Sequence, residues 1–259
     1  MTVSLLVVAI APGAALFLFF YLRDRYRREP FGTMLKTFVL GAAALIPSMG
    51  ISLTLQRLTG WSSSTPSILH AFVGAMLIVG LVEEGCKYTV VRLYAFRQPA
   101  FDEPYDGIMY SVMAALGFAT VENVLYVLSG GAGVGALRAA LAVPSHAFDG
   151  VVMGYFLGEA KFARSDAAGN LISALGLALA VVAHGLYDFI VFTIDKAPFM
   201  MLTLGLFVVL SWVIIFKATR RLSEQSPYKH PPLVDLHSMP PPPGQGPGAD
   251  PPTDAPKRD

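Results

Sequence analysis

The sequence predicts an all-α protein, a polytopic bundle of about seven transmembrane helices. Of its 259 residues, 54% are hydrophobic and only 14% are charged, whereas soluble domains carry roughly 25% charged residues. Apolar runs without Asp, Glu, Lys or Arg recur at residues 1–22, 37–56, 58–82 and 197–216. Each run is about as long as a helix that crosses a bilayer. Period-two alternation is absent over any useful length, so no strands are predicted.

The seven helices are expected in chain order at about 3–22, 33–55, 67–95, 106–128, 137–162, 170–194 and 198–217. Proline and glycine in "RREPFG" and "RQPAFDEPYDG" interrupt the apolar pattern and mark loops. "SGGAGVG" is interpreted as a short turn between the fourth and fifth helices. No Gly-Lys-Ser/Thr follows this glycine-rich stretch, so it is not a phosphate-binding loop.

The chain divides into an integral membrane domain at residues 1–222, with its core motifs at 81–189, and a tail at 223–259. The tail contains "SMPPPPGQGPGADPPTDAPKRD", which is rich in proline and glycine and nearly free of aliphatic residues. Such a segment cannot bury enough apolar surface to offset the entropy of ordering, so the tail is predicted to be disordered. A proline-rich ligand for a cytosolic domain is the less favoured interpretation.

Loop charge predicts the orientation in the cell membrane. If the N-terminus is outside, the inner loops carry eleven basic residues: Arg23, Arg25, Arg27, Arg28, Arg92, Arg97, Lys161, Arg164, Lys217, Arg220 and Arg221. The outer loops then carry three, which are Arg57, Arg138 and Lys196. This excess follows the positive-inside rule, so the multi-pass chain should begin outside and its tail should be cytoplasmic. The first apolar run lacks a preceding basic region, which favours a retained helix over a signal peptide.

Composition also excludes several kinds of site and partner. The net charge is +1, and no basic stripe is interleaved with aromatic residues, so no nucleic-acid partner is expected. Cys86 is the single cysteine, which rules out an internal disulfide and a cysteine-based metal site.

Four predicted helices carry polar groups at depth: Glu83, Glu84 and Lys87 on the third, Glu122 and Asn123 on the fourth, His146 and Asp149 on the fifth, and His184 and Asp188 on the sixth. Helical spacing places Lys87 near both acids of its helix, and Asp188 one turn from the His184 ring. Charged groups in a bilayer are costly and rarely stay without a partner or a task.

Carboxylates that take a proton from water, together with histidines that hold an oxyanion or a metal, suffice for a hydrolytic site. Each group also has a structural interpretation. Glu83 or Glu84 with Lys87 could form an ion pair, and either histidine could make an interhelical hydrogen bond. The convergence of four helices favours the hydrolytic site.

The ordered set "EEGCK", "FDEPYDGIMY", "GFATVEN", the histidine of the fifth helix and "HGLYD" resembles the PrsW family of intramembrane proteases. That family is related to the type II CAAX prenyl endopeptidases and bacteriocin-processing enzymes, and the resemblance covers about residues 81–189. CAAX proteases tend to show F-x-x-x-H in the second motif, whereas this chain has "FATVE" with Glu122 in that place. The departure favours PrsW.

The resemblance implies cleavage of a membrane-anchored, single-span substrate such as an anti-sigma factor, on the extracytoplasmic side. It assigns catalysis to Glu83, Glu84, Glu122, His146 and His184, with Lys87 as charge partner and Asn123, Asp149 and Asp188 as supporting residues. Glu122, His146 and His184 could ligate zinc, or a glutamate-activated water could act without metal. A proton- or cation-coupled transporter and an inactive membrane scaffold or sensor remain as alternatives.

Overall fold

The computed structural model describes residues 3–64 and 67–229, and within these ranges the regular structure is helical, without strands. Eight α-helices follow in order: α1 Val3–Arg23, α2 Phe31–Thr59, α3 Ile68–Gly74, α4 Leu81–Leu93, α5 Pro104–Ala140, α6 Ala142–Lys161, α7 Asp166–Thr193 and α8 Met200–Glu224. A π-helical segment, Ala75–Gly80, joins α3 to α4.

The predicted third helix is therefore one rod made of α3, the π segment and α4. It begins at Ser67, whose hydroxyl accepts a hydrogen bond from the His70 amide at 3.3 Å. The π segment ends directly before the turn that holds Glu83 and Glu84. A π turn changes the rotational phase of the residues that follow it, and such turns recur at functional sites. The segment thus sets the direction of the acidic pair.

Among the described residues, six helical stretches are long and apolar enough to cross a membrane, and one of them, Pro104–Lys161, contains both α5 and α6. Counting these two separately gives seven spans, which confirms the all-α transmembrane bundle that the sequence predicts. The glycine-rich turn is placed differently. α5 continues through it, with a break only at Gly131, where φ is 76°, and α6 begins at Ala142 rather than near residue 137.

Close backbone contact holds α5 against α6. Gly150, Gly154 and Gly158 recur every four residues on α6 and face α5. A Cβ added to Gly154 would lie 2.6 Å from the Cα of Ile108, and one added to Gly150 would lie 3.0 Å from the Cα of Val112. Small residues at this spacing let transmembrane helices approach closely. The antiparallel pairing brings the first turns of α6 beside the region of Glu122 on α5.

α7 approaches the π segment in the same way. A Cβ on Gly185 would meet the Cα of Met76 at 3.0 Å, and one on Gly80 would meet the carbonyl oxygen of Val181 at 3.0 Å. Gly185 follows His184 directly, so this contact holds the histidine against the rod that carries the acidic pair.

The end of the bundle where α1 ends and α5 begins is polar. Pro104 starts α5, and Glu103 with Asp106 forms a capping box there. Tyr110 donates a hydrogen bond to Glu29, in the loop between α1 and α2. α8 reaches Glu224 and a 3₁₀ turn covers Pro227–Lys229, so the first residues of the predicted tail are folded. The rest of the predicted tail lies outside the described residues.

Candidate active site

Lys87 is the centre of the polar network between the helices. Its ammonium lies 2.7 Å from Oε1 of Glu84, 3.6 Å from Oε2 of Glu83 and 3.0 Å from Nδ1 of His146. Glu84 and Lys87 are 0% and 1% exposed. The ammonium also lies 4.3 Å from the centroid of the Phe118 ring. A charge buried this completely is tolerated only because it is paired and hydrogen-bonded.

The contacts of His146 fix its tautomer. A lysine ammonium has only donors, so Nδ1 of His146 accepts from Lys87. Nε2 then carries the ring proton and donates to Oε2 of Glu122, 2.9 Å away. The network thus runs from Glu84 through Lys87 and His146 to Glu122, across three helices.

His184 is surrounded by carboxylates. Its Nδ1 lies 2.8 Å from Oε1 of Glu84 and 3.3 Å from Oδ2 of Asp149, so Nδ1 carries a proton. Its Nε2 lies 3.4 Å from Oδ2 of Asp188 and 3.6 Å from Oε2 of Glu83. A carboxylate on Nδ1 is the usual support of a histidine that binds metal through Nε2. His184 has that support, whereas His146 has an ammonium on its Nδ1.

The two histidine rings lie close together, with centroids 5.1 Å apart in an edge-to-face arrangement. Asp149, three residues after His146 on α6, pairs with His184 and not with the histidine of its own helix. Both rings therefore belong to one site.

Arg138 is part of this site, which the sequence analysis did not predict. Its guanidinium lies 2.7 Å from Oε2 of Glu122 and donates from Nε to Oδ1 of Asn123 at 3.2 Å. Asn123 in turn donates to the carbonyl of Ala9 on α1 at 2.8 Å. Loop charge predicts Arg138 in an outer loop. In the structure it follows the Gly131 break in α5, and the helix beyond that break brings it back to Glu122. The only available signal was an isolated charge in the apolar stretch "GALRAALAV".

A cavity of about 560 Å³ adjoins the network. Its wall includes Glu83, Glu122, His146, Asp149, His184 and Asp188. Gln56 and Trp61, at the end of α2 and just beyond it, also line the cavity, as does Met201 at the start of α8. The cavity therefore connects the acids to the end of the bundle where α2 ends and α8 begins. α3 starts at Ile68, close to the predicted residue 67, and the cavity reaches Glu83 on α4.

The adjacent residues Glu83 and Glu84 have different surroundings. Glu83 lies on the cavity wall and its side chain is 13% exposed, whereas Glu84 is fully buried behind it. Glu84 contacts Lys87 and His184, so it holds the two groups in place. Oε2 of Glu83 makes only long ion-pair contacts, at 3.6 Å with Lys87 and 3.6 Å with His184, and has no hydrogen-bond partner among the described residues.

Two groups of candidate metal ligands meet at His146. One comprises Glu84, His146, Asp149 and His184, and the other comprises Glu83, Glu122 and His146, with ligand atoms within 4.8 Å of one another in each. The predicted set of Glu122, His146 and His184 is thus divided: Glu122 belongs to one group, His184 to the other, and His146 to both. The site has five carboxylates, with Asp188 included, against the fixed cations Lys87 and Arg138. That excess of negative charge and the unpartnered oxygens of Glu83, Glu84 and Asp149 suit a divalent cation.

The family described as "PrsW family intramembrane metalloprotease" matches residues 29–218. The chain belongs to the PrsW family. It is therefore a membrane peptide hydrolase, as expected from the sequence.

Relatives named Protease PrsW match most of the chain. The protein of Halalkalibacterium halodurans is 38% identical over 216 residues, 83% of this chain and 95% of the relative. That of Geobacillus kaustophilus is 35% identical over 231 residues, 89% and 96% of the two chains. That of Bacillus subtilis is 35% identical over 220 residues, 85% and 96%. No solved structure matches this PrsW-family chain.

Proposed function

We propose that this PrsW-family protein cleaves single-span membrane proteins of the anti-sigma-factor type, close to the outer face of the membrane. The observation that supports this most is the 560 Å³ cavity, which joins Glu83, Glu122 and both histidines to one end of the bundle. Most of the basic residues lie at the other end, so the positive-inside rule puts the open end outside and the tail in the cytoplasm.

Glu83 is the proposed general base. It lies on the cavity wall, and its Oε2 is not engaged in a hydrogen bond among the described residues. It would take a proton from a water molecule as that water attacks the substrate carbonyl carbon, and later give the proton to the departing amine. General bases contribute about 100- to 10,000-fold to such rates.

Arg138 and His146 are the proposed donors to the oxyanion. Both already donate to Oε2 of Glu122, at 2.7 and 2.9 Å, so both N–H groups lie at the cavity wall. A substrate carbonyl oxygen that takes up negative charge beside Glu122 would find these donors in place. Preorganised donors of this kind stabilise a tetrahedral intermediate because they need no reorganisation during the reaction.

The residues also fit a catalytic metal, which we propose to be zinc. Glu83, Glu122, His146 and His184 face the cavity and offer the carboxylate and imidazole ligands that zinc accepts. When bound, zinc would polarise the carbonyl and lower the pKa of a bound water. The Nδ1–H contacts of His184 with Glu84 and Asp149 favour this role for His184.

The contacts of His146 instead favour a metal-free mechanism. Its Nε2–H donates to Glu122 while Lys87 donates to its Nδ1, so metal binding at Nε2 would require this proton to leave. Elemental analysis of purified, active protein separates the two mechanisms. Full activity with metal far below one atom per chain would favour glutamate and water alone.

The distribution of polar groups argues against proton or cation transport. The site near Glu122 and the polar end near Asp106 are separated on α5 by the buried stretch 112–119, "VMAALGFA". That stretch offers no titratable side chain, and a relay through the bundle would require one.

The substrate proposal is tested by co-expressing candidate single-span proteins with wild-type enzyme or with Glu83→Gln. We expect a shortened product only with the wild type, at matched membrane abundance of the two enzymes. Equal cleavage with both enzymes would show that Glu83 is not the general base. No cleavage of any anti-sigma-like protein, with other single-span proteins cut, would refute the substrate class alone.

A further inference from the structure

A second pocket, of about 350 Å³, lies at the opposite end of the bundle from the active-site cavity. It is formed by the last turns of α1 and α8, the first turn of α5 and the 3₁₀ turn after α8. Its lining includes Arg23, Arg25, Tyr105, Arg220, Glu224 and Lys229. None of the residues of the active-site network lines it, so the two pockets are separate.

The pocket is strongly cationic. Four basic side chains line it, and the single acid among its lining residues, Glu224, lies 2.8 Å from Arg220. Within the described residues, no carboxylate lies at ion-pair distance from Arg23, Arg25 or Lys229, and the Arg23 guanidinium lies 5.4 and 5.1 Å from the ring centroids of Phe19 and Phe216. Like charges brought together in this way repel one another, and an anion between them would relieve the repulsion.

Tyr105 supplies an independent sign of a ligand. Its side chain is among the largest in the buried core and is 2% exposed, yet it is part of the pocket lining. Its hydroxyl has no hydrogen-bond partner among the described residues. A buried hydroxyl without a partner costs free energy, and native proteins rarely leave one in that state. An acceptor in the pocket would satisfy it.

We propose that this pocket binds a phosphate group, with Arg23, Arg25 and Lys229 supplying charge and Tyr105 donating a hydrogen bond. Phosphate oxygens accept several charge-assisted hydrogen bonds at once, which suits a pocket with many donors and few acceptors. The volume is within the range of small-molecule sites. Anionic lipid headgroups and soluble phosphate compounds share this chemistry.

The position of the pocket favours the lipid. It lies where transmembrane helices end, which is the level of the headgroups, and basic pockets between such helices bind anionic lipids. The buried acids Asp24 and Glu103 lie near Tyr105 and oppose an anion. The unpaired cations must outweigh them, which makes binding sensitive to the loss of a single positive charge.

The test is the thermal unfolding midpoint of the full-length protein in nanodiscs. One arm compares phosphatidylcholine with a mixture of phosphatidylcholine and phosphatidylglycerol. The other adds inorganic pyrophosphate to protein in phosphatidylcholine alone. A lipid ligand raises the midpoint only in the first arm, and a soluble ligand raises it in the second. No rise in either arm would overturn the proposal.

Variants separate the pocket from general attraction to an anionic surface. Lys229→Gln removes a charge that lines the pocket, and Lys217→Gln removes one from the exposed surface of α8 at the same end. Tyr105→Phe keeps the ring and removes the hydroxyl. We expect Tyr105→Phe and Lys229→Gln each to weaken apparent affinity about tenfold or more, since a hydrogen bond to a charged group is lost, and Lys217→Gln to respond like wild type.

Tyr105→Phe also controls for the possibility that a weaker ligand response reflects unfolding of the variant. Because the hydroxyl has no protein partner, its removal should leave the midpoint without ligand unchanged or slightly higher. If Tyr105→Phe and Lys229→Gln show the same ligand response as Lys217→Gln, the anion binds elsewhere and the proposal is wrong.

Discussion

Glu83 and Glu84 are adjacent, yet the structure predicts opposite consequences for the same substitution. Glu84 is fully buried and lies 2.7 Å from the Lys87 ammonium and 2.8 Å from Nδ1 of His184. Glu83 lies 3.6 Å from the same ammonium and lines the cavity. Replacement by glutamine keeps size and an acceptor oxygen but removes the charge.

The expected losses of stability differ because the Glu84 side chain is fully buried, whereas the Glu83 side chain is 13% exposed. Removing one partner of a buried ion pair costs about 3–5 kcal/mol. Glu84→Gln should fall near the lower end, about 3 kcal/mol, because glutamine still accepts from Lys87 and the Glu83 carboxylate remains nearby. Glu83→Gln should cost no more than about 1 kcal/mol, because its ion pair with Lys87 is long. It should nevertheless lower cleavage by about 100- to 10,000-fold, because the proposed base is lost.

The assay measures both quantities on one preparation. Thermal unfolding in nanodiscs reports stability, and cleavage of a single-span substrate, normalised to folded enzyme, reports activity. Glu159→Gln on α6 is the matched control and should change neither. If Glu83→Gln retains cleavage, or if Glu84→Gln is as stable as the control, the division of the acidic pair into a cavity-facing base and a buried anchor is wrong.

Three further predictions follow from the contacts. Arg138→Gln should lower cleavage per folded enzyme about 10- to 100-fold, because it removes a charged donor from Glu122. It should also lower the unfolding midpoint, because the mostly buried Glu122 carboxylate loses its cationic partner. Arg138→Lys should recover part of the rate. Gly154→Val should destabilise the bundle by about 1–3 kcal/mol or more through overpacking against α5, whereas Gly205→Ala, with open space around it, should not. Burial raises the pKa of Glu29 from 4.5 to about 7, so folding favours its protonated form. Stability on the order of 1–2 kcal/mol should therefore be present below about pH 4.5 and lost as the pH rises through 7. Glu29→Gln should reduce this slope, and the neighbouring acid Asp24, whose pKa burial raises to about 6, should retain part of it.

Helical spacing predicted the local pairs of the site but not their partners across helices. The contacts of Lys87 with Glu83 and Glu84, and of His184 with Asp188, follow from residues three or four apart on one helix. Asp149 lies three residues after His146 on α6. In the fold Asp149 lies against His184 instead, because the close packing at Gly80 and Gly185 brings α7 to that position.

Two features of the site could not be predicted from sequence patterns. The glycines of "SGGAGVG" indicated a turn, but only Gly131 has a conformation that interrupts the helix, and the chain continues as a helix that returns Arg138 to Glu122. The π segment before Glu83 has no sequence signature, because an apolar run fits α and π geometry alike. Both features depend on tertiary packing, and both determine which groups face the cavity.

The peptide bond that is cut shows where along the substrate span the catalytic groups act. Purified protein and a single-span substrate reconstituted in liposomes should yield two fragments, and mass spectrometry of the new termini locates the bond that was broken. The cavity opens at the end of the bundle where α2 ends and α8 begins, so we expect the cut near the outer end of the substrate span. An intact substrate with folded, metal-replete enzyme, or a cut at the inner end beside the arginine-rich loops, would contradict the account.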